Sequence, residues 1–255
     1  VEWPKGSGLS PIFAAGEMLG AKVDGDIRVA GIQHDAHEFQ PGLIDSEGNA
    51  TNPAAPEFRW YSLEPGGIGD WQSWPSETQG APLNEDGEPD LIGQQTIFSV
   101  WNDLTPHGYY GTNKLGAEIH QTAWAFNRAD AIGDMIFVKW KLINKRDTLW
   151  EDAYFVIWQD PDVGDAGDDL VGCENGRDDY NYMRGQWRDG AQIVNDGENG
   201  TGDGPPTNFM FSGDPETNTG WLDSNPADRR FMMTTGPFDM EPWEDTNGNG
   251  KADLG

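Results

Sequence analysis

Three neighbouring segments in the middle of the chain carry aromatic and β-branched residues at a spacing that favours β-strands: 115–127, 134–145 and 149–160. The second contains IFVKWKLI (136–143), and because successive side chains of a strand point to opposite faces, both lysines fall on one face. Short polar connections join the three segments, as in antiparallel neighbours. These segments therefore predict an antiparallel meander with one face on a core and the other in water.

Further segments of similar composition extend this pattern along the chain. They are 26–34, 95–103, 208–213 and 229–236. Helical periodicity is confined to at most a turn or two near Ile12 to Leu19. One large all-β domain accommodates the whole sequence of 255 residues. We therefore predict an all-β fold, a single antiparallel β-sandwich domain spanning residues 1–255, of the jelly-roll or Ig-like type.

The sequence has 44 acidic and 16 basic side chains, a formal net charge of −28. Because phosphate neutralisation requires Lys and Arg, this balance excludes nucleic acid as a partner, and it disfavours anionic membrane surfaces. The 12 tryptophans and 11 phenylalanines supply enough aromatic surface for a core, unlike most acidic disordered chains. Cys173 allows no internal disulfide, and no apolar run reaches the roughly 20 residues needed for membrane insertion.

Two long segments between the predicted strands, 40–94 and 172–207, are rich in Gly, Pro, Asn and Asp. Loops of this length in a compact domain are usually functional or disordered. Four tryptophans within the two segments favour ordered loops packed on the sandwich, with disorder as the alternative: Trp60, Trp71, Trp74 and Trp187. The same side chains could stack on sugar rings, although tryptophans packed beneath long loops are the commoner case.

The run DPDVGDAGDD (160–169) crowds carboxylates together without a base. They belong to Asp160, Asp162, Asp165, Asp168 and Asp169. At ~4 Å and an effective dielectric near 20, each carboxylate pair repels by about 4 kcal/mol. The run directly continues an aromatic strand, so its backbone cannot simply spread the charges apart. The pattern predicts a Ca²⁺ site, with a solvated acidic turn as the alternative, and the lack of His disfavours zinc.

A second calcium-loop pattern, DTNGNGKAD, spans residues 245–253. Its predicted ligands are the side chains of Asp245, Asn247, Asn249 and Asp253 and the backbone carbonyl of Lys251, with Gly250 at the sharp turn. The bidentate acid expected at position 12 is absent from the sequence, which ends at Gly255. A third stretch, NEDGEPD (84–90), has similar spacing, but we predict a solvated turn there.

Sequence signals for catalysis are weak. HDAHE (34–38) lacks the helical H-E-x-x-H spacing and follows a predicted strand, which favours surface histidines, and His120 is predicted to pack or cap within its strand. There is no G-x-S-x-G elbow, and the glycine-rich 197–204 has no Walker lysine. The many carboxylates leave open an acid pair of the glycosidase type, which only separation in space defines. We predict that the protein is not an enzyme.

Four segments of the chain together resemble a family of large, uncharacterised secreted bacterial surface proteins. They are VEWPKGSGLSPIFAAGEMLGAK (1–22), the segments 117–145 and 150–173, and DRRFMMTTGPFDMEP (228–242). The family phrases are "EVPKGSGK…IFAG…WIGG", "QTAFAFN…LGN…F.KYKLINK", "DVYFG.W.DPDLGD..DDYVGCD" and "DRRF..SSGPF.L.PGD". Members often carry a C-terminal sorting domain for export to the cell surface, and no enzyme activity is established for them. The resemblance thus implies a secreted, extracellular or cell-surface protein.

The family pattern extends beyond both ends of this sequence, which implies a processed or partly ordered piece of a longer precursor with open sheet edges. We therefore expect a secreted, calcium-stabilised structural subunit of a filament-like homopolymer, with Ca²⁺ as its ion and copies of itself as partners. Residues Val1 to Leu9 and Asp245 to Asp253 are the expected contact elements. The alternative is a surface glycan-binding module that uses the loop tryptophans, and an enzyme acting on polysaccharides comes third.

Overall fold

The computed structural model describes residues 6–32, 37–162, 167, 191–195, 202–207, 211–214, 217–223, 228 and 230–244. Over these residues the protein is all-β with antiparallel sheets, as predicted for a sandwich. Contacts group the chain into two compact units. Unit 1 comprises Val1–Met18 and Tyr154–Gly236, and unit 2 comprises Leu19–Ala153 and Pro237–Gly255.

The described strands follow one another with little helix between them. They are β1 (Ile12–Val23), β2 (Asp26–Gly31), β3 (Gln40–Pro41), β4 (Tyr61–Glu64), β5 (Ile68–Gly69), β6 (Gln95–Asn102), β7 (Ala117–Ala125), β8 (Ile136–Asn144), β9 (Trp150–Pro161) and β10 (Phe231–Met240). Helical structure is limited to a single α turn, α1 (Ser76–Gln79), and to 3₁₀ turns at Pro65–Gly67 and Ala131–Asp134.

The strands form two sheets. The first has the order β10-β9-β1-β2, and the second has the order β5-β4-β6-β7-β8, with β3 also paired to β6. Of the predicted three-strand meander, β7 and β8 pair antiparallel in the second sheet, whereas β9 lies in the first sheet between β10 and β1, so the prediction is wrong for the third segment. The other neighbour of β7 is β6, which is also antiparallel to it. The register places Asn102 opposite Glu118 and Glu118 opposite Ile143. These residues lie at the end of the sheet that is next to the cavity described below.

Most of the predicted strands are confirmed by β2, β6, β7, β8, β9 and β10. In the segment 208–213, residues 208–210 lie outside the described residues, and 211–213 form no strand. The helical turn expected near Ile12 to Leu19 is wrong, because these residues belong to the twelve-residue strand β1. Buried Leu19, Ala21 and Val23 alternate with more exposed residues along that strand, which is a strand period rather than a helical one.

The long segment 40–94 is an ordered cover on one face of the second sheet, as predicted. Trp74 and Ala81 pack in one cluster with Tyr61, Leu63 and Phe98 of β4 and β6. The indole of Trp74 donates a hydrogen bond to the Pro82 carbonyl at 2.8 Å, which satisfies its polar edge in the core. Of the other long segment, 172–207, the structure describes 191–195 and 202–207, which meet through a bridge between Val194 and Pro206.

Candidate functional site

A cavity of about 500 Å³ lies in unit 2, where β8 turns towards β9 and the chain leaves β10. Its wall is built from the 44–48 loop, from Leu104 and Gly116, from the 145–147 turn and from 242–243. Volumes of this size are typical of sites for small ligands. Because five separate segments converge here, the position of each wall depends on hydrogen bonds between segments.

Asn144, the last residue of β8, connects two of these segments. Its amide nitrogen donates to the carbonyls of Thr148 and Met240 at 2.9 Å each, and its amide oxygen accepts from the backbone N–H of Arg146 at 3.0 Å. The backbone carbonyl of Asn144 accepts a further bond from the N–H of Trp243 at 2.8 Å. Asn144, which is 1% exposed, therefore connects Arg146 and Trp243 through its hydrogen bonds to their backbone N–H groups.

Arg146 supplies the most informative side chain of the wall. Its aliphatic stem lies against Gly116, where an added Cβ would come 2.6 Å from the Arg146 Cγ. Gly116 also has a φ of +80°, so only glycine combines this backbone conformation with the close approach. The Nε of Arg146 is shielded from solvent and donates no hydrogen bond to any described part of the chain. Arg146 thus lines the cavity with its stem held in place and its Nε unbonded to any residue that the structure describes.

Lys145 and Trp243 form a cation–π pair beside Arg146. The Lys145 Nζ lies 3.3 Å from the centroid of the Trp243 ring, and Lys145 is 7% exposed. Such pairs gain strength when they are desolvated, about 2 kcal/mol in buried cases. The pair fixes the indole at the cavity wall and places a second positive charge there.

Another part of the cavity wall is a hairpin loop closed around Asp45. One Asp45 carboxylate oxygen accepts the backbone N–H groups of Glu47 and Asn49 at 2.9 and 2.8 Å, and Gly48 takes a φ of +80°. The loop is tied to the sheet because the N–H of Ile44 donates to the Glu118 carboxylate at 2.6 Å. Glu47 itself is exposed and lines the cavity.

Asp103 holds the part of the cavity wall around Gly116 in place. Its fully buried carboxylate accepts the backbone N–H groups of Leu115, Gly116 and Ala117, and the His107 ring lies 3.4 Å from it. Burial raises the pKa of Asp103, while the three N–H donors and His107 act in the opposite direction. These bonds hold Gly116 where the Arg146 stem packs against it.

The cavity lining combines charged, polar and apolar groups. Lys145 and Arg146 offer cationic donors, and Glu47 and Asp147 offer carboxylate acceptors. Leu104, Ile44 and the Trp243 ring supply apolar surface. Sequence reasoning missed this site because its side chains come from distant segments. The one available signal was the adjacent Lys-Arg pair in so acidic a chain.

The structure describes only part of the predicted calcium run 160–169. Asp160, the penultimate residue of β9, is 2% exposed, and its carboxylate accepts a hydrogen bond from the Arg230 Nε at 3.1 Å. The backbone N–H of Asp162 donates to the Pro11 carbonyl at 3.1 Å. The predicted ligands Asp165, Asp168 and Asp169 lie outside the described residues. Where the chain is described, no three acidic, His or Cys side chains gather as a metal would require.

The other two calcium-like stretches differ in what can be said of them. All five predicted ligands between Asp245 and Asp253 lie outside the described residues. The stretch 84–90 is a turn, as predicted, because the Asn84 side-chain oxygen accepts the N–H groups of Asp86 and Glu88 at 3.0 Å each. Gly87 has a φ of +79°, so this loop repeats the geometry of the loop at Asp45.

The remaining motifs take structural roles where they are described. In HDAHE, residues 34–36 lie outside the described range, whereas Glu38 is buried and accepts the N–H groups of Tyr109 and Tyr110 at 3.0 Å each. His120 packs edge-on against Phe98 and lies 2.9 Å from the Glu118 carboxylate, in agreement with a packing role.

The loop tryptophans divide into two groups. Trp71 and Trp74 are partly or fully buried, and each indole donates to a backbone carbonyl, so they pack beneath the cover. Trp60 is 69% exposed at the start of β4. Trp187 lies outside the described residues.

Among the described residues, β2, β3, β5, β8 and β10 lie at sheet edges, and all of them except β10 are protected; β3, like β5, has only two residues. At β2, the Thr112 hydroxyl accepts a hydrogen bond from the N–H of Val29 and donates one to its carbonyl. The strand β8 carries Lys139 and Lys141. Short length, side-chain cover and lysines are the usual devices against pairing between molecules. The first part of β10, FMMTTG (231–236), has no charged residue and is largely exposed, with Met232 at 58%.

No family model, curated protein or solved structure matches this chain. The resemblance to secreted surface proteins therefore stays a prediction. Among the helices that the structure describes, none has the length and apolar character needed to cross a membrane.

Proposed function

We propose that this chain is a secreted, calcium-stabilised structural subunit of an extracellular or cell-surface assembly, in which copies join along β10. The single observation that carries the proposal is the edge at 231–236, where β10 pairs with β9 on one side and has no neighbour on its other side among the described strands. An exposed edge strand presents unpaired N–H and C=O groups that form a template for a strand of another molecule.

The composition of this edge supports self-pairing. Charged residues make up 24% of the whole chain but none of the residues 231–236. Met232 and Met233 are 58% and 46% exposed, so they would bury apolar surface when a second strand pairs here. Pro237 cannot donate to a ladder, which limits the pairing segment to the residues before it.

Net charge is the main opposing term. A charge of −28 on each copy repels its neighbours, and this repulsion weakens in salt or when cations bind. Each Ca²⁺ ion bound in the run 160–169 or at 245–253 would offset two units and could link carboxylates of adjacent copies. Assembly is therefore expected to require millimolar calcium.

The test is sedimentation velocity of the full chain over a range of protein concentrations at millimolar calcium. Met233→Lys places a charge on the edge and is expected to shift the assembly midpoint upward by roughly tenfold or more, equivalent to about 1.4 kcal/mol per contact. Met135→Lys is the matched control, because Met135 is similarly exposed, at 47%, but lies outside β10. A monomeric wild type, or equal effects of the two lysines, would refute the proposal.

A second candidate is a surface glycan-binding module, which the exposure of Trp60 favours. An indole that is 69% exposed beside the Arg59–Asp70 ion pair offers a stacking face next to polar groups. Affinity electrophoresis through gels containing polysaccharides tests it. Retardation of the wild type that Trp60→Ala abolishes supports this candidate, and identical mobility with and without polysaccharide rejects it.

A further inference from the structure

We infer that the cavity around Arg146 binds a small acidic sugar, of the hexuronic acid class, through its carboxylate. This inference does not rest on assembly along β10. It concerns other residues, and it holds equally for a monomer.

The inference rests first on the guanidinium of Arg146. Its stem is fixed on Gly116, its backbone N–H is held by Asn144, and its Nε is shielded from water without an acceptor in the described chain. Arg146 lines the cavity, and a ligand carboxylate bound there could accept two parallel N–H bonds from its guanidinium. Lys145 adds a second positive charge on the same wall.

The remaining lining indicates a sugar rather than a simple fatty or amino acid. Glu47, Asp147 and Ser46 line the same cavity, and their oxygens are acceptors that suit the hydroxyl groups of a pyranose ring. Pro242 and Trp243 provide an apolar surface for the C–H face of the ring. A volume of about 500 Å³ holds a monosaccharide or a disaccharide.

The local charge differs from that of the whole molecule. The lining contains two cations, Lys145 and Arg146, and two anions, Glu47 and Asp147, whereas the chain has 16 basic against 44 acidic residues. The two cations are adjacent in sequence, in the 145–147 turn. The cavity is therefore a place where this acidic protein can accept an acidic group.

The walls are also preorganised, which lowers the cost of binding. Asn144 joins the 145–148 turn to Met240 and Trp243, and Asp103 holds the backbone of 115–117 with three hydrogen bonds. Little side-chain ordering remains for the bound state, apart from the exposed Glu47 and Asp147.

The test is isothermal titration of the full chain with glucuronate, with glucose as the neutral sugar and acetate as the bare carboxylate. Arg146→Gln is expected to weaken glucuronate binding by roughly tenfold or more, because the variant loses the charge-assisted hydrogen bonds to the ligand carboxylate. Arg128→Gln is the matched control, since Arg128 pairs with Asp130 on the surface and does not line the cavity. Arg146→Lys keeps the charge but loses the planar fork, and it is expected to bind with intermediate affinity.

Saturable binding of glucuronate that exceeds binding of glucose and acetate, and that Arg128→Gln retains, supports the inference. Absence of saturable glucuronate binding by the wild type overturns it. Equal binding of glucose, or of acetate, overturns the acidic-sugar assignment. If Arg146→Gln fails to fold, the comparison with Arg146→Lys decides, and wild-type affinity in that variant overturns the role of the guanidinium.

Discussion

Replacing Asn144 with alanine is expected to weaken unit 2 more than any ordinary surface change. The substitution removes three side-chain hydrogen bonds, to Thr148, Met240 and Arg146, from a residue that is 1% exposed. These bonds are partly buried, so each contributes a net ~0.5–1.5 kcal/mol. Alanine should therefore lower the free energy of unfolding by about 2–4 kcal/mol.

Asn144→Asp provides the sharper comparison because it preserves the shape of the side chain. One carboxylate oxygen would face the Thr148 and Met240 carbonyls, to which the amide nitrogen now donates. Acceptor would meet acceptor, and a negative charge would enter a buried site. At neutral pH, aspartate is therefore expected to be at least as destabilising as alanine.

Urea denaturation followed by tryptophan fluorescence measures both variants, provided that the slope of the transition is unchanged. Asn127→Ala is the control, since Asn127 is exposed, and it should stay within about 0.5 kcal/mol of the wild type. An aspartate variant clearly more stable than the alanine variant would contradict the donor role of the amide. An alanine variant as stable as the control would refute the connecting role of Asn144 altogether.

Three further predictions follow from particular residues. Excess chelator should lower the melting temperature, since a ligand at 100 times its dissociation constant adds roughly 2.7 kcal/mol; an unchanged melt with no calcium in the metal analysis contradicts the calcium site. The hydrogen bond from Arg59 lowers the pKa of Asp70. The pair therefore stabilises the fold at pH values above the ordinary pKa range of aspartate, and this stabilisation is lost as the pH falls through the lowered pKa. Asp70→Asn should accordingly cost less than about 1 kcal/mol at pH 7 and nothing in strong acid, by thermal denaturation across pH, because exposed pairs contribute little. Gly69→Ala should lower the free energy of unfolding, measured by urea denaturation, by roughly 2–3 kcal/mol. The reason is that Gly69 has a φ of +95° and the new Cβ would lie 2.2 Å from the Ser62 carbonyl oxygen. An unchanged free energy of unfolding would show that this backbone can move.

The sequence predicted β7, β8 and β9 well as strands because they are long, aromatic and strongly patterned, but it did not indicate that β9 joins a different sheet from β7 and β8. β1 was missed because Ala14, Ala15 and Gly16 have low strand propensity and mask the alternation of Leu19, Ala21 and Val23. The following Asp-Gly pair was an available signal. Asp24 and Gly25 have φ values of +55° and +83°, which is the backbone of a tight hairpin between β1 and β2.

The candidate cavity could not be predicted from local patterns. Arg146 and Trp243 are far apart in sequence and meet only because Asn144 bonds the segments that carry them. The unprotected edge of β10 likewise depends on strand order, which composition does not determine. Calcium binding at 160–169 and 245–253 stays a prediction.

Hydrogen exchange at the amides of 231–236, measured at millimolar calcium over increasing protein concentration, tests the proposed assembly most directly. Pairing with a second copy would satisfy the outward N–H groups of this edge and slow their exchange. We predict protection that grows with concentration at these amides and disappears in Met233→Lys but not in Met135→Lys. Exchange that stays fast at every concentration would contradict the proposal that copies join along β10.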